Sequence, residues 1–122
     1  MPSGDYESWQ KLLVWQKAHE SVRLVYRATK VFPPDERFRL TDQLCRAAAS
    51  VPTNIAEGKG RGSGAEFRQF LVIARGSTEE TRYLLLLAKD LGFLPTAGYE
   101  VLEARYTEIS KMLNALLRTL RS

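Results

Sequence analysis

Five cations stand seven residues apart: Arg61, Arg68, Arg75, Arg82 and Lys89. Seven residues are nearly two helical turns, so on a helix they form one slowly drifting row with about 10 Å between steps. Guanidinium groups so spaced can meet successive phosphates, each as a two-pronged donor. Lys59 continues the row into a glycine-rich stretch. Glu79 lies four after Arg75 and three before Arg82, and is expected to neutralise both in part. Arg68 and Lys89 have no acidic residue three or four positions away on either side. The pattern predicts contact with the backbone of RNA or DNA without sequence readout. No aromatic ring alternates with the row, so base stacking is not indicated.

Other chemistry is sparse. His19 is the only histidine and Cys45 the only cysteine. A thiolate zinc site and an internal disulfide are therefore both excluded, and no metal site is expected. The Glu-x-x-His pair of di-iron bundles is missing, and Ser8 and Ser21 near His19 lie in no strained elbow. Gly58 to Gly64 resembles a phosphate loop in composition only, lacking the Gly-Lys-Ser/Thr ending. No cofactor and no enzymatic activity are expected. Cys45 is expected as a buried structural thiol. Asn54 and Glu57 flank a helix face just past Pro52, and are expected to bond backbone groups loosened by the proline and the helix end.

The elements that must carry these residues are helices. The chain has 122 residues, 44% of them hydrophobic, and a net charge of +4, which suits one modest domain with an anionic partner. Met1 to Lys11 is polar, and residues 12–122 form a single domain. Apolar positions recur at three- and four-residue steps from Leu12 to about Lys30 (Trp15, Ala18, Val22, Val25, Thr29), ended by Phe32-Pro33-Pro34. A second stripe starts near Arg39 to Thr41 and runs to Glu57 (Leu40, Leu44, Ala47, Val51, Ile55), with a kink expected at Pro52. Gly58 to Gly64 is the expected connection. Ser63 and Glu66 have capping-box spacing, so the third helix begins at about Gly64 and reaches Leu91 with Phe67, Phe70, Ala74, Thr81, Leu84, Leu85 and Ala88 inward. Gly92 is the expected C-terminal cap and Thr96 the next N-cap. Leu102, Tyr106, Ile109, Leu113, Leu116 and Leu120 line the fourth helix. Short connections make neighbours antiparallel, giving an all-α, up-down four-helix bundle. The longest apolar run, Tyr83 to Ala88, is too short for a membrane; a cytoplasmic protein is expected.

A bundle helix needs one apolar stripe, and three of these carry a second. Leu13, Leu24 and Val31 share the far side of the first helix. Cys45, Ala49, Pro52 and Ala56 form a small-residue face on the second. Val72, Tyr83 and Leu87 lie away from the third helix's core stripe, with Gly76 among them. A mid-helix glycine costs about 1 kcal/mol relative to alanine but lets another helix approach closely. Aligned apolar faces of this kind predict a homo-oligomer interface. An unidentified protein partner is the alternative occupant.

The strings Leu13-Val14-Trp15-Gln16-Lys17-Ala18-His19-Glu20, Leu40-Thr41-Asp42-Gln43-Leu44, Ser50-Val51-Pro52-Thr53-Asn54-Ile55-Ala56-Glu57-Gly58 and Glu66-Phe67-Arg68-Gln69-Phe70-Leu71 resemble the bacterial 23S rRNA intervening-sequence proteins. Ala74, Gly76 and Ser77, and the later Leu91-Gly92-Phe93-Leu94, extend the resemblance over nearly the whole chain. The Ser-Val-Pro-x-Asn-Ile-Ala-Glu-Gly stretch is the specific part, and Asn54, Glu57, Gly58 and Arg61 match the motif. The resemblance implies a four-helix bundle that assembles as a homopentamer. It also implies kinship with retroelement accessory proteins, which are basic pentamers that bind nucleic acid and a reverse transcriptase. It implies no catalytic residues.

Overall fold

A computed structural model describes residues 9–120. They form four helices, α1 (Leu13–Thr29), α2 (Asp42–Gly60), α3 (Gly64–Asp90) and α4 (Thr96–Thr119), with a 3-10 turn and a short π-type run, Pro34–Glu36 and Arg37–Thr41, between α1 and α2. Each helix packs on two neighbours, closing the ring α1–α2–α3–α4–α1, with α2 and α3 in the most extensive contact. This is the up-down four-helix bundle.

The turns follow from local chemistry. Ser63 Oγ accepts from the Glu66 backbone N–H at 3.2 Å, the N-cap bond expected at the start of α3, and it donates to the Glu66 carboxylate at 3.0 Å, where a full capping box would have that carboxylate accept from the Ser63 backbone N–H. At the end of α3, Gly92 takes φ +82°, and the Phe93 and Gly92 amides return to the carbonyls of Ala88 and Lys89. This closes the helix in a Schellman motif and aims Phe93 at Phe32, ring centroids 6.0 Å apart. Thr96 is not the cap of α4. Pro95 occupies that position and Thr96 is the first helical residue, with no side-chain cap bond.

α2 passes through Pro52 without ending, and the non-helical backbone in this region lies upstream, at Arg39 (φ −114°, ψ −106°). α2 also runs three residues past Glu57, so the glycine-rich stretch is mostly helix and only residues 61–63 connect α2 to α3. Gly58 is therefore buried inside a helix rather than free in a loop.

The core is built from the expected stripes with local shifts. Leu40, Leu44, Ala47, Val51 and Ile55 are all buried. On α3, Leu71 and Thr78 are buried where Phe70 is only half-buried, and on α4 Leu117 replaces Leu116. On α1, Val14 and Ser21 go inward beside Ala18 and Val25, while Trp15 and Val22 flank the core. The shifts from Phe70 to Leu71, Leu116 to Leu117, Trp15 to Val14 and Val22 to Ser21 are one residue each, about 100° around the helix, so the observed face adjoins the expected one within a broad apolar stripe. Fully buried Leu44, Ile55, Leu71, Ile109 and Leu113 each contribute roughly 1.5–3 kcal/mol.

Candidate nucleic-acid interface

The last four members of the seven-residue row lie along α3 beside α4 and Arg61 caps the end of α2, and the fold treats them unequally. Arg61 pairs with Glu57 at 3.0 Å and stands 3.9 Å from Glu66, its guanidinium 5.0 Å above the Phe70 ring. Lys59 sits over the Phe67 ring at 5.4 Å. Lys89 rests over the Tyr99 ring at 5.1 Å, 3.7 Å from Asp90. Arg82 is held by Glu79 at 3.2 Å and by Glu103 of α4 at 3.0 Å.

Arg82 belongs to a network in which two carboxylates outnumber its single charge. Glu103 also accepts from Thr107 at 2.6 Å and Tyr99 at 3.2 Å, and Ser110 donates to Glu79 at 3.1 Å. Burial pushes the Glu103 carboxyl up, but the bonds from Thr107 and Arg82, the Arg82 charge and the Tyr99 hydroxyl outweigh it and hold it below the usual glutamate range. Arg82 is thus the one cation that Glu79 pairs with among the described residues.

Arg75, expected to share Glu79, turns to α4 and donates to Asn114 Oδ1 at 3.1 Å. A neutral acceptor positions the guanidinium without cancelling its charge. Arg68, Arg75, Asn114, Leu117 and Arg118 line one cleft of about 440 Å³ between α3 and α4. None of its lining residues is acidic, and among the described residues neither Arg68, Arg75 nor Arg118 makes an ion pair. The unpaired positive charge of the row is therefore confined to its lower half and doubled back onto α4. Asn114 and Arg118 were missed in sequence. Their four-residue spacing beside the core positions Leu113 and Leu117 was visible, but nothing in sequence says which α3 residues they meet.

The second apolar faces are also divided. On α3, Val72 (37% exposed) and Tyr83 (59%) are open, Gly76 has no neighbour within 4 Å of where a Cβ would stand, and Ile73 and Leu86 extend the patch. Leu87 instead packs against the core. On α1, Leu13 is exposed and Leu24 leans on the core, whereas Val31 is exposed in the turn beyond the end of α1 rather than on its far side. On α2 the small-residue face is largely covered within the chain. Cys45 is buried, with its Sγ 3.7 Å from the Thr29 hydroxyl of α1, Ala49 is half-buried, and Pro52 lines a cleft with Trp9, Trp15, His19 and Ala56. Cys45 thus offers no surface to another subunit, because α1 already occupies it. Burial pushes its thiol up, Asp42 adds to this, and the Thr29 bond opposes it less strongly.

Asn54 does not bond the carbonyl that Pro52 frees, which is that of Ala48. Its Nδ2 donates to the Ser50 carbonyl at 2.8 Å and to Ser50 Oγ at 3.0 Å, and Ser50 Oγ meets Ser77 Oγ at 2.8 Å. The trio ties α2 to α3. Glu57 serves Arg61. His19 stacks on Trp15, ring centroids 4.9 Å apart, and Trp9, from the segment expected to be merely polar, meets Trp15 edge-on. Among the described residues no group of His, Cys, Asp and Glu could hold a metal ion, and no helix is long and apolar enough to cross a membrane.

Fold and site together define a small helical-bundle protein with a cationic, acid-free cleft between two antiparallel helices. The chain belongs to the 23S rRNA-intervening sequence protein family, whose family model matches residues 10–115. It is similar to a crystal structure from Bacteroides thetaiotaomicron, described as a protein with unknown function from the S23 ribosomal protein family. The two share 29% identity with a TM-score of 0.78, over 87% of this chain and 96% of that one. A comparison with curated proteins finds no match.

Proposed function

We propose that this protein is a non-enzymatic, homo-oligomeric bundle, a pentamer by family likeness, that associates with nucleic acid in the cytoplasm. The observation that carries the nucleic-acid reading is the cleft in which Arg68, Arg75 and Arg118 meet without a carboxylate. A cationic surface of this kind binds phosphate by displacing counterions, which makes affinity strongly salt-dependent. Lys59 adds flanking charge over the Phe67 ring, while Arg61 and Lys89 lie over rings beside their own carboxylate partners. The oligomer reading draws on the open face at Val72, Gly76 and Tyr83.

The test is retention of RNA and DNA by the wild-type protein at low salt, repeated with Arg68→Glu. Binding that weakens with salt and drops in the variant supports the proposal. Wild-type protein that retains neither nucleic acid at low salt overturns it.

A second reading, a scaffold for a protein partner, draws on Phe38. This ring is 82% exposed on the α1–α2 connection, with the Arg37 guanidinium 5.2 Å from its centroid. One protein recovered stoichiometrically after nuclease treatment, and lost in Phe38→Ala, favours it.

A further inference from the structure

We propose that the α3–α4 cleft takes a terminal phosphomonoester, the phosphorylated end of a nucleic-acid strand, in preference to the phosphodiesters inside the strand; this rests on the nucleic-acid reading above.

Two contacts across the groove report the register of α4 against α3. Arg75 meets Asn114, and Glu79 meets Ser110, so four residues up α3 correspond to four residues back along α4. Continued one turn the other way, Arg118 stands level with Leu71, midway between Arg68 and Arg75. Arg68 and Arg75 are about 10 Å apart along the axis, so each is about 5 Å from the level of Arg118. The three arginines therefore stand at the corners of a triangle about one cleft, with Asn114 holding one corner and Leu117 supplying the apolar wall. A linear row suits a backbone running past, whereas a triangle suits a single anion.

Charge points the same way. An internal phosphodiester carries one negative charge and only two free oxygens. A phosphomonoester carries about −1.5 to −2 at neutral pH and three free oxygens, matching three forked donors better. The cleft is also closed to a strand passing through. One turn above Arg75 stands Glu79, and beyond it Glu103, both fixed on Arg82. A phosphate chain continuing up the groove would meet two carboxylates. A strand entering from the Gly64 end can place its last phosphate among the arginines and stop there. At about 440 Å³ the cleft has room for a nucleotide-sized end group.

The experiment compares one short single strand in two forms, with a 5′-phosphate and with a 5′-hydroxyl, by fluorescence anisotropy on the full chain. The phosphorylated strand is expected to bind about tenfold tighter or more. Arg118→Gln and Arg68→Gln, both checked for unchanged helicity, should abolish that preference. Arg46→Gln, the same charge loss on α2, should leave it intact. Equal affinity for the two strands overturns this inference while leaving nucleic-acid binding standing, and no binding of either strand overturns both. Inorganic phosphate bound as tightly as the phosphorylated strand would make the site one for a free anion and overturn the strand-end assignment.

Discussion

Gly58 of α2 and Phe70 of α3 approach so closely that a Cβ on the glycine would stand 2.5 Å from the Phe70 Cβ and 3.2 Å from Phe67 Cδ1. Real Cβ atoms do not tolerate the shorter distance, so the two helices meet here only because the side chain is missing. Gly58→Ala is expected to destabilise the fold by about 1–3 kcal/mol in urea or thermal unfolding, the usual cost of overpacking. Gly60→Ala, in the same helix but with nothing within 4 Å, should be neutral or stabilising by up to about 1 kcal/mol. A Gly58→Ala protein as stable as the wild type would mean that α2 and α3 can separate at this point.

The Arg82–Glu103 pair gives a pH signature. The folded Glu103 carboxyl titrates below the ordinary value of 4.5, so its contribution to stability is complete above that value and is lost as pH falls through the folded one. Glu103→Gln should cost about 1–2 kcal/mol at neutral pH. The gap between variant and wild type should narrow as the pH drops below 4.5. A gap that does not narrow on acidification through the folded transition would contradict the assigned bonds.

Binding should divide the seven-residue row. Arg68→Gln and Arg118→Gln should each lower the salt slope of nucleic-acid binding by about one. Arg82→Gln should leave it nearly unchanged, because Glu79 and Glu103 already neutralise that charge. Equal losses along the whole row would restore the simple linear interface.

For assembly, light scattering on wild type and Gly76→Glu checks the open α3 face. The wild type should have the mass of an oligomer, and the variant should be smaller, because the new side chain meets an approaching helix where no atom now stands within 4 Å. A monomeric wild type would refute the interface.

Tyr106 is fully buried, and its hydroxyl has no hydrogen-bond partner among the described residues. Burial, with a smaller contribution from Cys45, pushes its phenol far above the usual range. Tyr106→Phe removes the uncompensated polar atom and keeps the ring. It should therefore hold or raise stability by about 1 kcal/mol. A clear loss in thermal unfolding would reveal a partner for the hydroxyl.

Much of this molecule is written locally. The Ser63 N-cap, the Gly92 turn and the stripe from Leu40 to Ile55 depend on residues within a few positions of one another, and local chemistry places them correctly. The expectation for Thr96 failed because a proline before it can hold the cap position without a side-chain bond. Composition alone places Gly58 in a loop, yet its reason for being glycine lies twelve residues on, in Phe70.

What the sequence determined by itself is the set of amphipathic helices and their antiparallel order, because periodicity and short connections act along the chain. What only the tertiary structure decided is which charges survive. The even spacing of Arg61, Arg68, Arg75, Arg82 and Lys89 treats the five alike. Packing α4 in one register set Glu103 against Arg82 and Asn114 against Arg75, and added Arg118 to the lower half. That register is fixed by how the two helices' buried side chains interlock, a long-range property that no window along the sequence contains.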